Sequence, residues 1–140
     1  MKQLPSNYIY KKCHKANYSY ISLLDRKNFF NAYGQFGLQS LTYGKLTYKQ
    51  IEACRRTIRR GLKKLGFLFI RVFTGTPVTK KPSATRMGKG KGSIAYWVAI
   101  IKKGQVIFEI SGINLLYAKD ILKKCSNQLP FKTKIVKIFY

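Results

Sequence analysis

Residues 46–66 leave the backbone little choice. Thr47 and Gln50 stand three apart just before an apolar run, the spacing of a capping box in which each side chain satisfies a backbone donor freed at a helix start. Leu46 and Ile51 flank the box at the staple positions. Placed at about 100° per residue, Ile51, Cys54, Ile58, Leu62 and Leu65 fall in one arc of roughly 80°, while Arg55, Arg56, Arg59, Arg60, Lys63 and Lys64 cover roughly 180° on the other side. Gly66 suits the left-handed residue that follows a helix. The stretch predicts a helix over 48–65 with one side for a core and the other for something anionic.

That cationic side is not an isolated feature. The chain has 140 residues, 28 of them Lys or Arg and 4 of them acidic, for a net charge of +24. Like charges repel in a compact state, so an excess of this size implies a polyanion as partner. Nucleic acid is the first choice and an anionic membrane surface the second. The sequence has no apolar run of roughly 18 residues for a spanning helix, and the apolar arc of the helix is narrow, better suited to packing on a sheet. Solvated basic faces normally interleave Glu with the cations. Here no acid follows Glu52 until Glu109, so the six cations are expected to be unpaired within the protein. Four are Arg, which can fork onto phosphate oxygens and stack on bases.

Around the helix the chain reads as one domain. Apolar residues make up 46%, enough for a core. Residues 28–43 alternate aromatics with Gly34 and Gly37, as one or two short strands with a tight bend. Residues 67–73 are too short and too β-prone for a helix and predict a buried strand. Residues 74–92, holding Pro77 and Pro82, read as a long loop without secondary structure. Residues 96–101 and 106–110 are strands joined through Lys103 and Gly104 as a hairpin. Residues 114–127 predict a second helix, with Leu115, Ala118, Leu122 and Cys125 as its stripe and Pro130 as its stop. Lys132, Lys134 and Lys137 alternate with apolar residues in an edge strand over 133–140. The expected class is α+β: one domain over 28–140, a mixed or antiparallel sheet with two packed helices, a basic arm over 1–27 and a long glycine-rich loop. No internal repeat or low-complexity tract interrupts it.

Catalysis finds little support. The acids are Asp25, Glu52, Glu109 and Asp120; they show no paired spacing, and His14 has no evident partner. Cys13, Cys54 and Cys125 are too few and too scattered for a disulfide framework or a zinc site, so they are expected to be reduced and half-buried. No catalytic residue, metal or cofactor is expected.

Two further segments invite an anion. Gly88, Gly90 and Gly92 alternate with Lys89 and Lys91 after Arg86. The string lacks the spacing of a phosphate loop and precedes a strand rather than opening a helix. Its glycines still let the backbone come close to a ligand, with the cations presented on a chain of little bulk. A flexible solvated loop is the plainer reading. In the arm, Lys11, Lys12, His14 and Lys15 are candidate RNA contacts, and Tyr8, Tyr10, Tyr18 and Tyr20 candidate stacking residues; a frayed terminus would carry the same residues. The other aromatics, Phe69, Phe73, Tyr96 and Trp97 among them, are expected in the core.

These segments together are familiar. The run Leu46-Thr-Tyr-Lys-Gln-Ile-Glu-Ala-Cys-Arg-Arg56 resembles the "LTxxQIEAxRR" helix of the universal ribosomal large-subunit protein number sixteen. Lys81-Pro82, then Arg86-Met-Gly-Lys-Gly-Lys-Gly92 and Tyr96-Trp-Val98, resemble its signature loop and strand. Phe36-Gly37-Leu38, Phe108-Glu109, Gly112 and Leu129-Pro130 also match, and the resemblance runs from about residue 10 to residue 137. It implies helices packed on a β-sheet, and binding to large-subunit rRNA below the central protuberance, beside the elbow of the incoming aminoacyl-tRNA. It makes neighbouring large-subunit proteins further partners. Arg55, Arg56, Arg59 and Arg60 would meet rRNA, with Lys63 and Lys64 more peripheral, and the loop at 86–92 would reach toward the tRNA site.

The chain departs from the bacterial pattern in its arm, at Asn17-Tyr18-Ser19-Tyr20 and near residues 23–28. It also carries Gly75 and Lys80 where the bacterial loop is acidic. The many Ile, Phe, Tyr, Lys and Asn residues suggest an AT-rich genome, and the first residues show no presequence. An organelle-encoded copy is expected, in the mitochondrion first, then the plastid, with a bacterial cytoplasm as the further alternative.

Overall fold

A computed structural model describes residues 12–14, 28–88 and 90–137. Within them the order is β1 (Phe36–Ser40), β2 (Gly44–Thr47), α1 (Tyr48–Leu62), β3 (Phe67–Ile70), β4 (Thr76–Lys80), β5 (Ser93–Ile101), β6 (Val106–Ser111), α2 (Leu115–Ser126) and β7 (Thr133–Lys137). The class is α+β, as expected, and the described strand pairings are all antiparallel. The strands form two sheets rather than one: a four-stranded sheet in the order β3-β6-β1-β7 and a three-stranded sheet in the order β2-β5-β4.

The split into two sheets overturns the expected hairpin. β5 and β6 do not pair; they belong to different sheets. The turn between them forms as its residues suggest, with Gly104 at φ +84 and the Gln105 N–H bonded to the Lys102 carbonyl at 3.2 Å. β1 captures that turn. The Gly104 N–H donates to the Ser40 carbonyl at 2.8 Å, and the Ser40 N–H donates to the Gln105 carbonyl at 2.9 Å. The chain is thereby turned out of one sheet and into the other.

β4 is a second correction. Thr76-Pro-Val-Thr-Lys80 is a strand inside the stretch expected to be a loop, and it pairs with β5 from Thr76↔Val98 to Lys80↔Ser93. Pro77 lacks a donor, which is tolerable on an edge strand, and β4 is at the edge of its sheet. The open loop is therefore residues 81–92. β7 is also an edge strand, as expected; residues 138–140 lie outside the described residues.

α1 starts where its capping box places it. Thr47 accepts from the Gln50 N–H at 3.4 Å, and the Gln50 side chain accepts from the Thr47 N–H at 2.9 Å. Ile51, Cys54, Ile58 and Leu62 are fully buried. The helix ends three residues earlier than expected, with Lys63 at φ 43 and Lys64 at φ 70 supplying the left-handed residues. Leu65 is thus outside the helix and 72% exposed. Gly66 is needed for close approach instead: a Cβ there would lie 2.6 Å from the Ser111 carbonyl oxygen.

The core lies between the sheets and the helices. Phe36 and Leu38 from β1, Phe108 and Ile110 from β6, Leu46 from β2 and Ile101 from β5 meet the α1 stripe and Ala118, Ile121, Leu122 and Cys125 of α2. Ile121 thus joins the expected α2 stripe, and Leu115 is only half-buried. Cys54 and Cys125 are fully buried, Cys13 half-buried. The Cys54 thiol donates to the Cys125 carbonyl at 3.8 Å; its hydrogen bond to the Cys125 thiol and burial push the latter's ionisation up, which suits packing rather than chemistry.

The other face of the four-stranded sheet is covered by residues 28–35, organised around Glu109. Glu109 is fully buried and paired in register with Gly37 on one side and Phe69 on the other. Its carboxylate accepts the N–H groups of Ala32 at 3.1 Å, Tyr33 at 2.7 Å and Gly34 at 2.8 Å, and forms an ion pair with Arg71. Burial pushes the carboxyl up; the Tyr33, Ala32 and Gly34 amides and Arg71 together outweigh it and hold Glu109 below the usual carboxylate range. Gly34 lets this segment lie flat, because a Cβ there would stand 2.8 Å from the Ile110 amide nitrogen.

Two stability measurements follow. In urea unfolding, Leu62→Ala is expected to cost roughly 2–5 kcal/mol, whereas Leu65→Ala, at an exposed site, stays within about 0.5 kcal/mol. Glu109→Ala is expected to cost roughly 3–5 kcal/mol, since it leaves Arg71 and three amides without their partner. A carboxyl held below its ordinary value of 4.5 contributes fully above that pH and loses its contribution as pH falls through the folded value. Melting temperature should therefore drop on acidification below about pH 4.5, and that drop should be shallower in Glu109→Gln.

Candidate nucleic-acid interface

α1 presents its cations by simple periodicity. With Ile51, Cys54, Ile58 and Leu62 fixed in the core, Arg56, Arg59 and Arg60 must face outward, and they are exposed, as are Lys63 and Lys64 just past the helix end. The expectation of six unpaired cations fails for two of them. Glu52 meets Arg55 at 2.7 Å and Arg56 at 3.2 Å. The hydrogen bond from Arg55 holds the Glu52 carboxyl down to about 2, with Arg56 adding to it against the opposing effect of burial, and Glu52 in turn raises Arg55. The spacing of three and four residues was visible in the sequence. Arg59, Arg60, Lys63 and Lys64 have no acidic partner among the described residues. Arg59 and Arg60 fall in the last helical turn, where the dipole favours positive charge.

The glycine loop projects from the β4–β5 hairpin. Arg86, Gly88, Gly90 and Lys91 are exposed, and Met87 is fully so. The three glycines do different work. Gly88 at φ +95 and Gly90 at φ +75 stand in open space, so their requirement is conformational. Gly92 is steric: a Cβ there would lie 2.7 Å from the Lys80 carbonyl oxygen, at the end of β4. Lys81, outside the expected contact residues, donates to the Gly88 carbonyl at 2.8 Å and ties the two sides of the loop. The Lys-Pro pair at 81–82 was its signal.

Residues 12–14 come to the same place. Lys12 donates to the Lys91 carbonyl at 2.9 Å, and Lys91 donates to the Cys13 carbonyl. The structure therefore joins part of the arm to the neck of the loop. His14 is exposed beside them. No hydrogen bond or ion pair among the described residues links this group to the α1 cations. Lys11, Lys15 and Lys89, and the arm tyrosines at 8, 10, 18 and 20, lie outside the described residues.

The aromatic expectation needs correcting. None of the four residues expected in the core is fully buried: Phe69 and Trp97 are half-buried, and Phe73 and Tyr96 exposed. Phe30, Tyr33 and Phe67 are more exposed still. Among the described residues there is no group of His, Cys, Asp and Glu able to hold a metal ion, and no helix long and apolar enough to cross a membrane.

Residues 5–136 match the model of the family described as ribosomal protein L16p/L10e. The chain is similar to the large ribosomal subunit protein uL16 of Psychrobacter arcticus, 52% identical over 106 residues, which cover 76% of this chain and 77% of that one. The uL16 of Psychrobacter cryohalolentis gives the same figures. The uL16 of Buchnera aphidicola subsp. Cinara cedri is 42% identical over 132 residues, 94% of each chain.

The glycine geometry separates two effects by position. Gly92→Val is expected to lower the melting temperature by several degrees, because it forces the end of β4 away from β5. Gly90→Val, in open space, is expected to leave the β4–β5 pairing intact, with hydrogen-exchange protection of Val78 and Tyr96 as the readout. Loss of that protection in Gly90→Val would assign the tip glycine to the fold rather than to the loop.

Proposed function

The chain belongs to the ribosomal protein L16p/L10e family, and from that membership we propose that its cationic surfaces bind large-subunit rRNA near the central protuberance, beside the aminoacyl-tRNA site. Members of this family are structural ribosomal proteins, not enzymes. The chain accordingly has a structural role in the large subunit, with rRNA and neighbouring ribosomal proteins around it. Arg59 and Arg60 contact phosphates, flanked by Lys63 and Lys64; Arg55 and Arg56 do so while sharing Glu52. The loop carrying Arg86, Gly88, Lys89, Gly90, Lys91 and Gly92 extends toward the tRNA path. Lys11, Lys12, His14 and Lys15 of the arm add charge near the loop neck, with the arm taken as 1–27 and the rRNA-binding domain as 28–140.

The observation that carries this reading is the α1 face. Arg59 and Arg60, exposed and without an acidic partner among the described residues, stand opposite a fully buried stripe, with Lys63 and Lys64 exposed just past the helix end. Packing fixes the helix rotationally, so the charge is held toward one direction and needs a neutraliser there. The compartment is the finer part of the proposal. The Ile, Phe, Tyr, Lys and Asn content supports a mitochondrial ribosome; the bacterial origin of the named relatives supports a bacterial cytoplasm as the alternative. Co-fractionation with organellar or with cytoplasmic large subunits separates them.

The test of the RNA reading is a salt titration of binding to a large-subunit rRNA fragment. Arg59→Ala is expected to weaken binding and to reduce the log–log salt slope by roughly 0.7–0.9, with the melting temperature unchanged. An unchanged affinity and slope in a folded Arg59→Ala protein would remove α1 from the interface. Tighter binding to anionic vesicles than to rRNA would favour a membrane surface over RNA.

A further inference from the structure

We infer that the outer face of β3, where Tyr33, Phe67 and Phe69 stand beside Arg71, is a stacking platform for an unpaired base of RNA. The inference rests on the RNA-binding reading above and adds a second kind of contact on a different face of the protein.

The sheet register produces the platform. Leu68 and Ile70 pack against the core, so the alternation of the strand turns Phe67 and Phe69 to the opposite face. Residues 28–35 cross that same face, and Glu109 pins them there through the amides of Ala32, Tyr33 and Gly34. Tyr33 is thus delivered to Phe69, their ring centroids 5.6 Å apart and their planes 30° from parallel. The Arg71 guanidinium carbon lies 5.4 Å from the Tyr33 ring centroid. Tyr33 and Phe67 remain 68% exposed. Water is a poor neighbour for so much aromatic surface, and contiguous exposure of this kind marks a contact.

The occupant is read from the chemistry of the patch. Tyr33 is held by the Glu109 contacts, its ring tilted 30° from that of Phe69, so a flat partner can lie on its exposed side with little further ordering. The Arg71 guanidinium is committed to Glu109 and packs against Tyr33, so it braces the ring, and the attraction for a polyanion comes from the net charge of +24. The nearest acid among the described residues, Glu109, is fully buried and engaged, so no described carboxylate is exposed on the patch to repel RNA. Every base has a π-face, and stacking of this kind tolerates any sequence but requires a base outside a duplex.

The experiment compares two RNAs on the full chain: a short oligouridylate, whose bases are free, and a blunt RNA duplex, whose bases are not. Tyr33→Ala is expected to weaken oligouridylate binding roughly tenfold or more while changing duplex binding less than twofold; Tyr33→Phe keeps both. Phe67→Ala, at the other exposed ring, is expected to act in the same direction and serves if Tyr33→Ala melts early. Unchanged oligouridylate binding in folded Tyr33→Ala and Phe67→Ala overturns the platform, as does equal weakening toward both RNAs. Normal oligouridylate binding with poor incorporation into subunits also overturns it, in favour of a protein neighbour on this face. Binding of neither RNA by the unaltered chain overturns the broader RNA reading as well, so the two failures are distinguishable.

Discussion

A buried carboxylate surrounded by four donors organises one side of this protein. Glu109 is in the middle of a sheet whose other face is already occupied by helices, and an acid buried there has no water to solvate it. Three consecutive amides and the Arg71 guanidinium replace that water. The consequence is structural before it is electrostatic. Residues 28–35 have no strand or helix of their own, yet the carboxylate gives Ala32, Tyr33 and Gly34 fixed partners. Gln39 secures the same segment at its other end by donating to the Phe29 carbonyl at 2.9 Å. A layer without secondary structure is thereby made part of the fold, and the aromatic rings it carries acquire defined positions.

The same arithmetic of charge explains why the protein is only half of a structure. Each acid among the described residues has a basic partner: Glu52 has Arg55 and Arg56, Glu109 has Arg71, and Asp120 has Lys124. With 28 cations in the chain and 4 acids, few internal partners remain for the other positive groups, and their mutual repulsion works against compactness. What holds the domain against it is a core drawn from both sheets and both helices. A family whose members work inside a ribosome resolves the imbalance, since an RNA environment supplies the counter-charge that the chain does not encode.

What could be read from the sequence was what short-range physics decides. The capping box at Thr47 and Gln50 and the stripe from Ile51 to Leu62 depend on spacings of three and four residues, and both stand as read. The errors came where distant residues chose between local options. Lys103 and Gly104 make a turn, but whether that turn closes a hairpin or redirects the chain is decided by Ser40, more than sixty residues upstream. Pro77 argued for a loop, and only the edge position of β4 makes it compatible with a strand. Leu65 continues the apolar period of α1, yet two lysines take up left-handed backbone before it is reached. Of the site, the cationic face and the glycine string were legible as residue types. The Glu52 pairing with Arg55 and Arg56 rests on the same three- and four-residue spacings. The exposed rings were not legible, because an aromatic residue in a strand looks the same whether its outer face is covered or bare.

The loop shows how such a protein can carry an exposed contact on a firm base. Its two ends are fixed by pairing, Lys80 with Ser93, and the base is tightened by the close approach of Gly92 to the Lys80 carbonyl. Lys12 and Lys91 exchange hydrogen bonds across to residues 12–13 at the same level. Beyond that level the tip has little to pack on: Met87 is fully exposed, and Gly88 and Gly90 have no neighbour in reach of a Cβ. A backbone held at its base and little packed at its tip loses ordering entropy mainly over the few residues of the tip when it meets a partner. The cost of ordering is therefore confined to the segment that makes the contact. The sheet beneath carries none of it, which is why the glycines at the tip and the glycine at the neck answer to different forces.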